Sequence, residues 1–191
     1  MSLIENIERT VEEACAAESN VFGYGSWSHH ITQVVENARM LAPHFDADRE
    51  IVVLGALLHD YASIVDESLY EEHHIHGPRV AEQLLKQHDY PSERIERVKR
   101  CIAGHRGSIE TAPDTKEGVC LASADGMAHI QQPHSLLYLA YVQQEMDIDE
   151  GADWIRTKLE RSWQKIDPTV QKMVEDQCEA ARLFLAVDTP R

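Results

Sequence analysis

The chain has 191 residues, and 18 Lys and Arg against 33 Asp and Glu give it a formal net charge of −15 at pH 7. This negative charge argues against a main role in binding a nucleic-acid duplex or an anionic membrane, so we expect small molecules as partners. The sequence has no membrane-spanning stretch of roughly 20 apolar residues and no secretory signal at its start, so we expect a cytoplasmic protein.

The first predicted elements are two amphipathic helices. Residues 3–17 have apolar side chains at three- and four-residue spacing, which is typical of a helix with one buried face. A second helix is predicted over 27–43, where His30 lies one turn before the apolar Val34. We therefore expect His30 to face the core, with the adjacent His29 as the alternative.

The third predicted helix contains the apolar run 51–58 and ends at the doublet His59-Asp60. Either Asp46 or Asp48 can cap its start. A buried imidazole and carboxylate are costly unless they are hydrogen-bonded, charge-paired or bound to a metal. Taken alone, the doublet could equally be a hydrogen-bonded pair at a helix end.

The middle of the chain carries more histidines near predicted helix ends. Residues 61–70 are predicted to form a loop, and a helix is predicted over 73–87. Ser92 is expected to cap the next helix, which ends at Gly104-His105. Arg106 opens the longest irregular segment, 106–117.

The last part of the chain is predicted to be helical throughout. A buried helix over 118–130 carries Asp125 within its apolar sequence. Three scaffold helices are predicted to follow. The first covers 136–146, the second has Asp149 as its N-cap, and the third has Pro168 as its first residue. No alternating β pattern, internal repeat or linker is visible. We therefore predict an all-α fold as a single domain over 1–191, with a core over about 26–130 and C-terminal helices over 134–187 packed on it.

Histidine is unusually frequent: eleven histidines exceed nine glycines, although histidine is normally a minor residue. Candidate metal ligands come from several predicted helices, as in catalytic sites, whereas structural zinc sites use short local pairs. Imidazole and carboxylate without thiolate favour Fe, Mn, Co, Ni or Zn. The candidate ligands are His30, His59, Asp60, His73, His105 and Asp125.

The ordered set His30, His59-Asp60 and Asp125 resembles the HD-domain metal-dependent phosphohydrolase superfamily. The resemblance covers roughly residues 26–130 and includes H-I-T-Q-V-V from the first His, L-G-A-L-L-H-D at the doublet and A-S-A-D-G-M around the last Asp. It implies a single-domain HD-domain helical bundle in which these four residues hold one divalent metal ion.

The resemblance extends to the members of the superfamily that hold two ions. His73 precedes Gly77 by four residues, as in dinuclear relatives such as the symmetrical diadenosine tetraphosphate hydrolases, and His105 matches their second additional histidine. By resemblance, Asp60, His73 and His105 would hold the second ion, with Asp60 bridging. A shift of one residue at the helix start would put His74 in the place of His73.

The resemblance implies a hydrolase that cleaves a phosphoester or phosphoanhydride of a nucleotide or a similar small phosphorylated metabolite through a metal-bridging hydroxide. Asp60, Arg106 and His129 are the predicted catalytic residues. His129 lies one turn after Asp125 and should share its face, while a guanidinium offers paired donors to phosphate. A core histidine and a surface arginine are the alternatives, and the sequence leaves a homodimer open.

Two other functions are compatible with an HD fold. In di-iron oxygenases of the phosphonate-cleaving type, a Tyr and a Glu stand shortly before the first His. This chain has Tyr24 but no Glu between it and His29, which disfavours an oxygenase. A non-catalytic signalling module that retains the metal is the other alternative, although degenerate domains usually lose ligands and none of the six is lost here.

Overall fold

The structure is a computed structural model that describes residues 2–70, 72–105 and 113–186, apart from the side chains of residues 73 and 74. Within these ranges the chain forms α-helices, short π-helical and 3-10 segments and no strand, which confirms the all-α prediction. The α-helices are α1 Leu3–Ala16, α2 Thr32–Leu41, α3 Arg49–Leu58, α4 Tyr61–Val65, α5 His73–Gln87, α6 Ser92–Ala103, α7 Lys116–Gln131, α8 Pro133–Tyr138, α9 Ile148–Lys165, α10 Pro168–Gln171 and α11 Glu175–Leu185. The π-helical segments are Ser26–Ile31 and Leu139–Gln143, and Glu67–Leu69 is a 3-10 helix.

Helices α3 and α7 form the centre of the fold. Every residue of α3 from Ile51 to Leu58 is buried, and so is every residue of α7 from Cys120 to Ile130. Helix α3 packs against α1, α2, α6 and α7, while α7 also contacts α9 and α11. A helix that is apolar on all sides is stable only when it is surrounded in this way. These two helices therefore bring His59 and Asp125 into the interior.

The hydrophobic core is continuous from Ile7 of α1 to Leu185 of α11. It includes the four cysteines, which are all free and buried. The packing of α9 and α11 on α7 agrees with the expected position of the C-terminal helices; the single-domain organisation stays a prediction. Among the described helices, none is both long enough and apolar enough to cross a membrane.

Several predicted boundaries differ from those observed. The loop predicted over 61–70 is wrong in part, because Tyr61–Val65 is helical and buries the apolar side chains in its middle. Helix α3 is capped by Asp48 rather than Asp46. Helix α9 is capped by Asp147, whose side chain accepts from the Glu150 amide, so the prediction of Asp149 as the cap is wrong.

Asp48 links the beginnings of three helices. Its Oδ1 accepts from the Ile51 amide at the start of α3, and its Oδ2 pairs with Arg94 at 3.2 Å and Arg97 at 3.0 Å from α6. Arg97 also pairs with Glu117 of α7 at 2.8 Å. Burial opposes ionisation of Asp48, but its hydrogen bonds with Arg94 and the Ile51 amide outweigh that effect and lower its pKa.

We expect Asp48→Ala to lower the free energy of unfolding by about 1–3 kcal/mol, because it removes a helix cap and partly exposed ion pairs together. Urea unfolding of the two proteins measures this difference. Asp48→Asn keeps an oxygen for the cap and should cost less. Asp147→Ala is the matched control for a cap alone, since Asp147 forms no ion pair among the described residues.

The Asp48 contribution should depend on pH. Because its pKa is lower in the folded chain, the contribution is fully present above the unfolded value of about 3.9 and is lost as pH falls through the folded pKa. The stability difference between wild type and Asp48→Ala should therefore be smaller near pH 3 than at pH 7. An equal difference at both values would contradict this role of the Asp48 charge.

Candidate metal centre

Three packed elements converge on one side of the core, and each carries part of the predicted ligand set. His30 lies on the π-helical segment Ser26–Ile31, a type of segment that is frequent at functional sites. His59 ends α3, Asp60 directly precedes α4, and Asp125 lies in the middle of α7. Residues that are 95 positions apart in the chain are therefore brought together by helix packing.

The four side chains form a cluster of nitrogen and oxygen atoms around Nε2 of His30. Nε2 of His30 lies 3.2 Å from Nε2 of His59 and 3.3 Å from Oδ2 of Asp60. Nε2 of His59 lies 3.2 Å from the same Asp60 oxygen, and Oδ1 of Asp125 lies 3.6 Å from Nε2 of His30. Such convergence of imidazole and carboxylate atoms is the donor set of a transition-metal site.

Backbone carbonyls fix the orientation of two imidazole rings. Nδ1 of His59 donates to the Ala56 carbonyl at 2.8 Å, and Nδ1 of His105 donates to the Ile102 carbonyl. Each ring therefore directs Nε2 into the cluster, and a donor on the second nitrogen is the usual support of a metal-binding histidine. In the metal-free protein burial disfavours the charged form of His59, but the adjacent Asp60 carboxylate outweighs it and raises the pKa to about 9.

Asp125 is a buried carboxylate, only 4 % exposed, whose two oxygens differ. Oδ2 contacts Nζ of Lys165 from α9, while Oδ1 is buried without a hydrogen-bond partner. Burial would raise the pKa of Asp125, but Lys165 and the neighbouring histidines hold it well below its usual range. An ionised, unpartnered oxygen is costly to bury unless a cation balances it. The residues therefore fit a bound divalent metal.

His129 lies where the helical spacing predicts, on the same face of α7 as Asp125. Its ring stacks on that of His30 with centroids 4.6 Å apart, and its Nε2 is 3.3 Å from Oδ1 of Asp125. Burial and the nearby charge of Lys158 lower its pKa well below the usual value. A neutral, enclosed imidazole suits a ligand or an orienting group better than a cationic phosphate clamp.

His105 lies on the other side of Asp60. It is 2 % exposed, and its Nε2 is 4.0 Å from Oδ1 of Asp60. Asp60 thus has one oxygen towards His30 and His59 and the other towards His105, as a bridging ligand requires. The side chains of His73 and its alternative His74, together with Arg106, lie outside the described residues.

His29, the alternative to His30, is on a different face. Its side chain is exposed, hydrogen-bonds with Ser28 at 2.7 Å and meets His134 edge-on. Among the described residues, two groups have ligand-type atoms within 4.8 Å of one another. The first is His30, His59 and Asp60, and the second is His30, Asp125 and His129. Both groups contain His30, and neither contains His29.

The sequence and the fold of this chain are similar to those of known proteins. The HD domain family matches residues 27–130, which is more than half of the sequence. This chain belongs to the HD domain family. Among solved structures it is similar to Bacillus subtilis YpgQ in complex with ADP, with a TM-score of 0.67 and 18 % sequence identity. The similarity covers 95 % of this chain and 93 % of that one, which shows a shared fold. No curated protein matches the sequence.

HD domain proteins are mostly metal-dependent hydrolases, and His59-Asp60 lies within the matched residues. One residue that contacts the cluster lies beyond the matched segment. Lys165 is 40 positions from Asp125 in sequence, and a single lysine in the last turn of a helix carries no signal of this role. In the sequence, this contact is indicated only by Gly126, a glycine within α7 at the point where α9 approaches.

We expect His30→Ala to reduce the affinity for divalent metal by about tenfold or more, because it removes a ligand nitrogen from the centre of the cluster. His29→Ala is the matched control: it removes the neighbouring, exposed imidazole and should bind metal as the wild type does. Metal content after dialysis against buffered Mn²⁺, measured by mass spectrometry, gives the comparison. Equal loss in the two variants would contradict the assignment of His30.

Proposed function

We propose that this protein is a metal-dependent phosphohydrolase that cleaves a phosphoester or phosphoanhydride of a nucleotide or a similar small phosphorylated metabolite. The observation that carries the proposal is the buried, unpartnered Oδ1 of Asp125 facing the His30 and His59-Asp60 cluster. Membership of the HD domain family supports the same reaction class.

The proposed centre holds two ions chosen from Fe, Mn, Co, Ni or Zn. His30, His59, Asp60 and Asp125 would hold the first ion, and Asp60, His73 and His105 the second. The separations of 3.3 Å and 4.0 Å from the two Asp60 oxygens to His30 and His105 support a bridging role for that carboxylate. Bound metal would supply a water with a pKa of about 7 and positive charge towards phosphate.

The side chains of the chain itself would perform the remaining tasks. Asp60 would orient the attacking water between the two ligand sets. His59 and His105, each fixed by a backbone carbonyl, would keep the ligand geometry constant between the free and the bound protein, so that little reorganisation accompanies binding. His129 would orient His30 by stacking and Asp125 by contact. Arg106 is proposed to contact the substrate phosphate.

Charge at the centre supports a phosphate substrate in an acidic protein. Two divalent ions would bring about four positive charges, while Asp60 and Asp125 supply two negative ones and Lys165 already pairs with Asp125. The immediate site is then positive although the whole chain has a net charge of −15. YpgQ, which shares the fold, is described in complex with ADP, and this supports a nucleotide as the first substrate class to test.

We expect purified protein to release phosphate or pyrophosphate from at least one member of a panel of nucleoside mono-, di- and triphosphates and dinucleoside polyphosphates. Chelation should abolish the release and added Mn²⁺ or Co²⁺ should restore it. His59→Ala should lower kcat/KM by about 10³-fold or more, because it removes the buried ligand on which the site depends. Consumption of oxygen by a metal-loaded protein that releases no phosphate would instead indicate an oxygenase.

Metal stoichiometry tests the number of ions. The wild type should bind about two ions per chain, and His105→Ala about one, since His105 approaches Asp60 at Oδ1 whereas His30 and His59 approach it at Oδ2. His44→Ala is the control, because His44 is exposed and hydrogen-bonds with Thr169 away from the cluster. Binding of a single ion by the wild type, with no change in His105→Ala, would show a mononuclear centre.

A further inference from the structure

Lys165 is a nearly buried cation outside the HD segment that contacts a member of the metal-ligand cluster. Its side chain is 9 % exposed, and its Nζ contacts Oδ2 of Asp125. A lysine is rarely buried unless it is paired. Here the partner is a carboxylate that is itself proposed to bind metal, so the contact bears directly on the centre.

The backbone packing of α9 on α7 builds this contact. A Cβ at position 126 would lie 2.6 Å from the Ser162 carbonyl oxygen and 2.7 Å from Ile166, so only glycine lets the two helices approach so closely. On the other side of Asp125, the Asp167 amide donates to Oγ of Ser123 at 3.1 Å. The end of α9 is therefore fixed to α7 on both sides of Asp125, and Lys165 is held where it contacts Oδ2.

The two oxygens of the Asp125 carboxylate therefore have different surroundings. Oδ2 is taken by Lys165. Oδ1 has no hydrogen-bond partner and lies 3.6 Å from Nε2 of His30 and 3.3 Å from Nε2 of His129. We propose that Lys165 is a positioning residue of the metal centre: it restricts Asp125 to a single ligand oxygen, and its positive charge weakens the hold of the centre on metal. This inference rests on the metal centre of the proposed function.

Electrostatics gives the direction of the effect. An ammonium group and a divalent cation on one buried carboxylate repel each other, and the interior screens this repulsion weakly. Removing the ammonium therefore favours metal binding. It also leaves Oδ2 buried without a partner in the metal-free protein, which destabilises that state more than the metal-bound one. Both effects tighten metal binding in a variant that lacks the charge.

The experiment is a Co²⁺ titration of the full chain, followed by visible absorption and by calorimetry. Lys165→Met should bind Co²⁺ more tightly than wild type, by about tenfold. Its metal-free form should melt several degrees lower, and Co²⁺ should raise its Tm by more than it raises that of wild type. Lys165→Arg keeps the charge and should bind Co²⁺ with wild-type affinity.

Two further variants separate the causes. Lys165→Gln can still donate to Oδ2 but carries no charge, so it should bind Co²⁺ more tightly with a smaller loss of Tm, and it keeps the test open if the Met variant fails to fold. Lys172→Met removes an exposed positive charge that follows Lys165 in the chain and should change neither quantity. Unchanged or weaker binding in both uncharged variants, Lys165→Met and Lys165→Gln, would overturn the proposal. Absence of Co²⁺ binding by wild type would instead refute the metal centre itself.

Discussion

The structure depends on one electrostatic constraint: two acidic side chains and several imidazoles share a space enclosed by apolar helices. Helix α3 is buried from Ile51 to Leu58, and Asp125 lies in a buried stretch of α7. In such surroundings an unbalanced carboxylate is costly. Lys165 balances one Asp125 oxygen, and the other oxygen faces histidine nitrogens. A divalent cation is the group that would satisfy these atoms together.

Much of the cluster could be predicted because its members lie on strongly patterned helices. The spacing from His30 to Val34 indicated the buried face, and the apolar run before His59-Asp60 indicated that the doublet ends a buried helix. Asp125 followed from the apolar sequence around it. These three inferences need only local periodicity, which the packing then preserves. In the structure His59, Asp60 and Asp125 each have a side-chain atom within 3.2–3.6 Å of Nε2 of His30.

The rest depended on tertiary contacts that sequence periodicity does not contain. Lys165 reaches Asp125 because α9 crosses α7 at Gly126, and neither position predicts the other. The segment Tyr61–Val65 has turn-prone residues but becomes helical when its apolar side chains are buried. The π-helical turn that carries His30 gave no signal either, since its residues also fit an ordinary α-helix. Helix α9 thus contacts Asp125 through Lys165 although it lies beyond the residues that the HD domain family matches.

The most direct test of the account is a crystal structure of protein grown with Mn²⁺, with anomalous diffraction recorded near the manganese edge. The account predicts an anomalous peak enclosed by His30, His59, Asp60 and Asp125, with Oδ2 of Asp125 still in contact with Lys165. A cluster that shows no peak at saturating metal, or a peak only at surface carboxylates, would contradict the claim that these buried side chains form a metal centre.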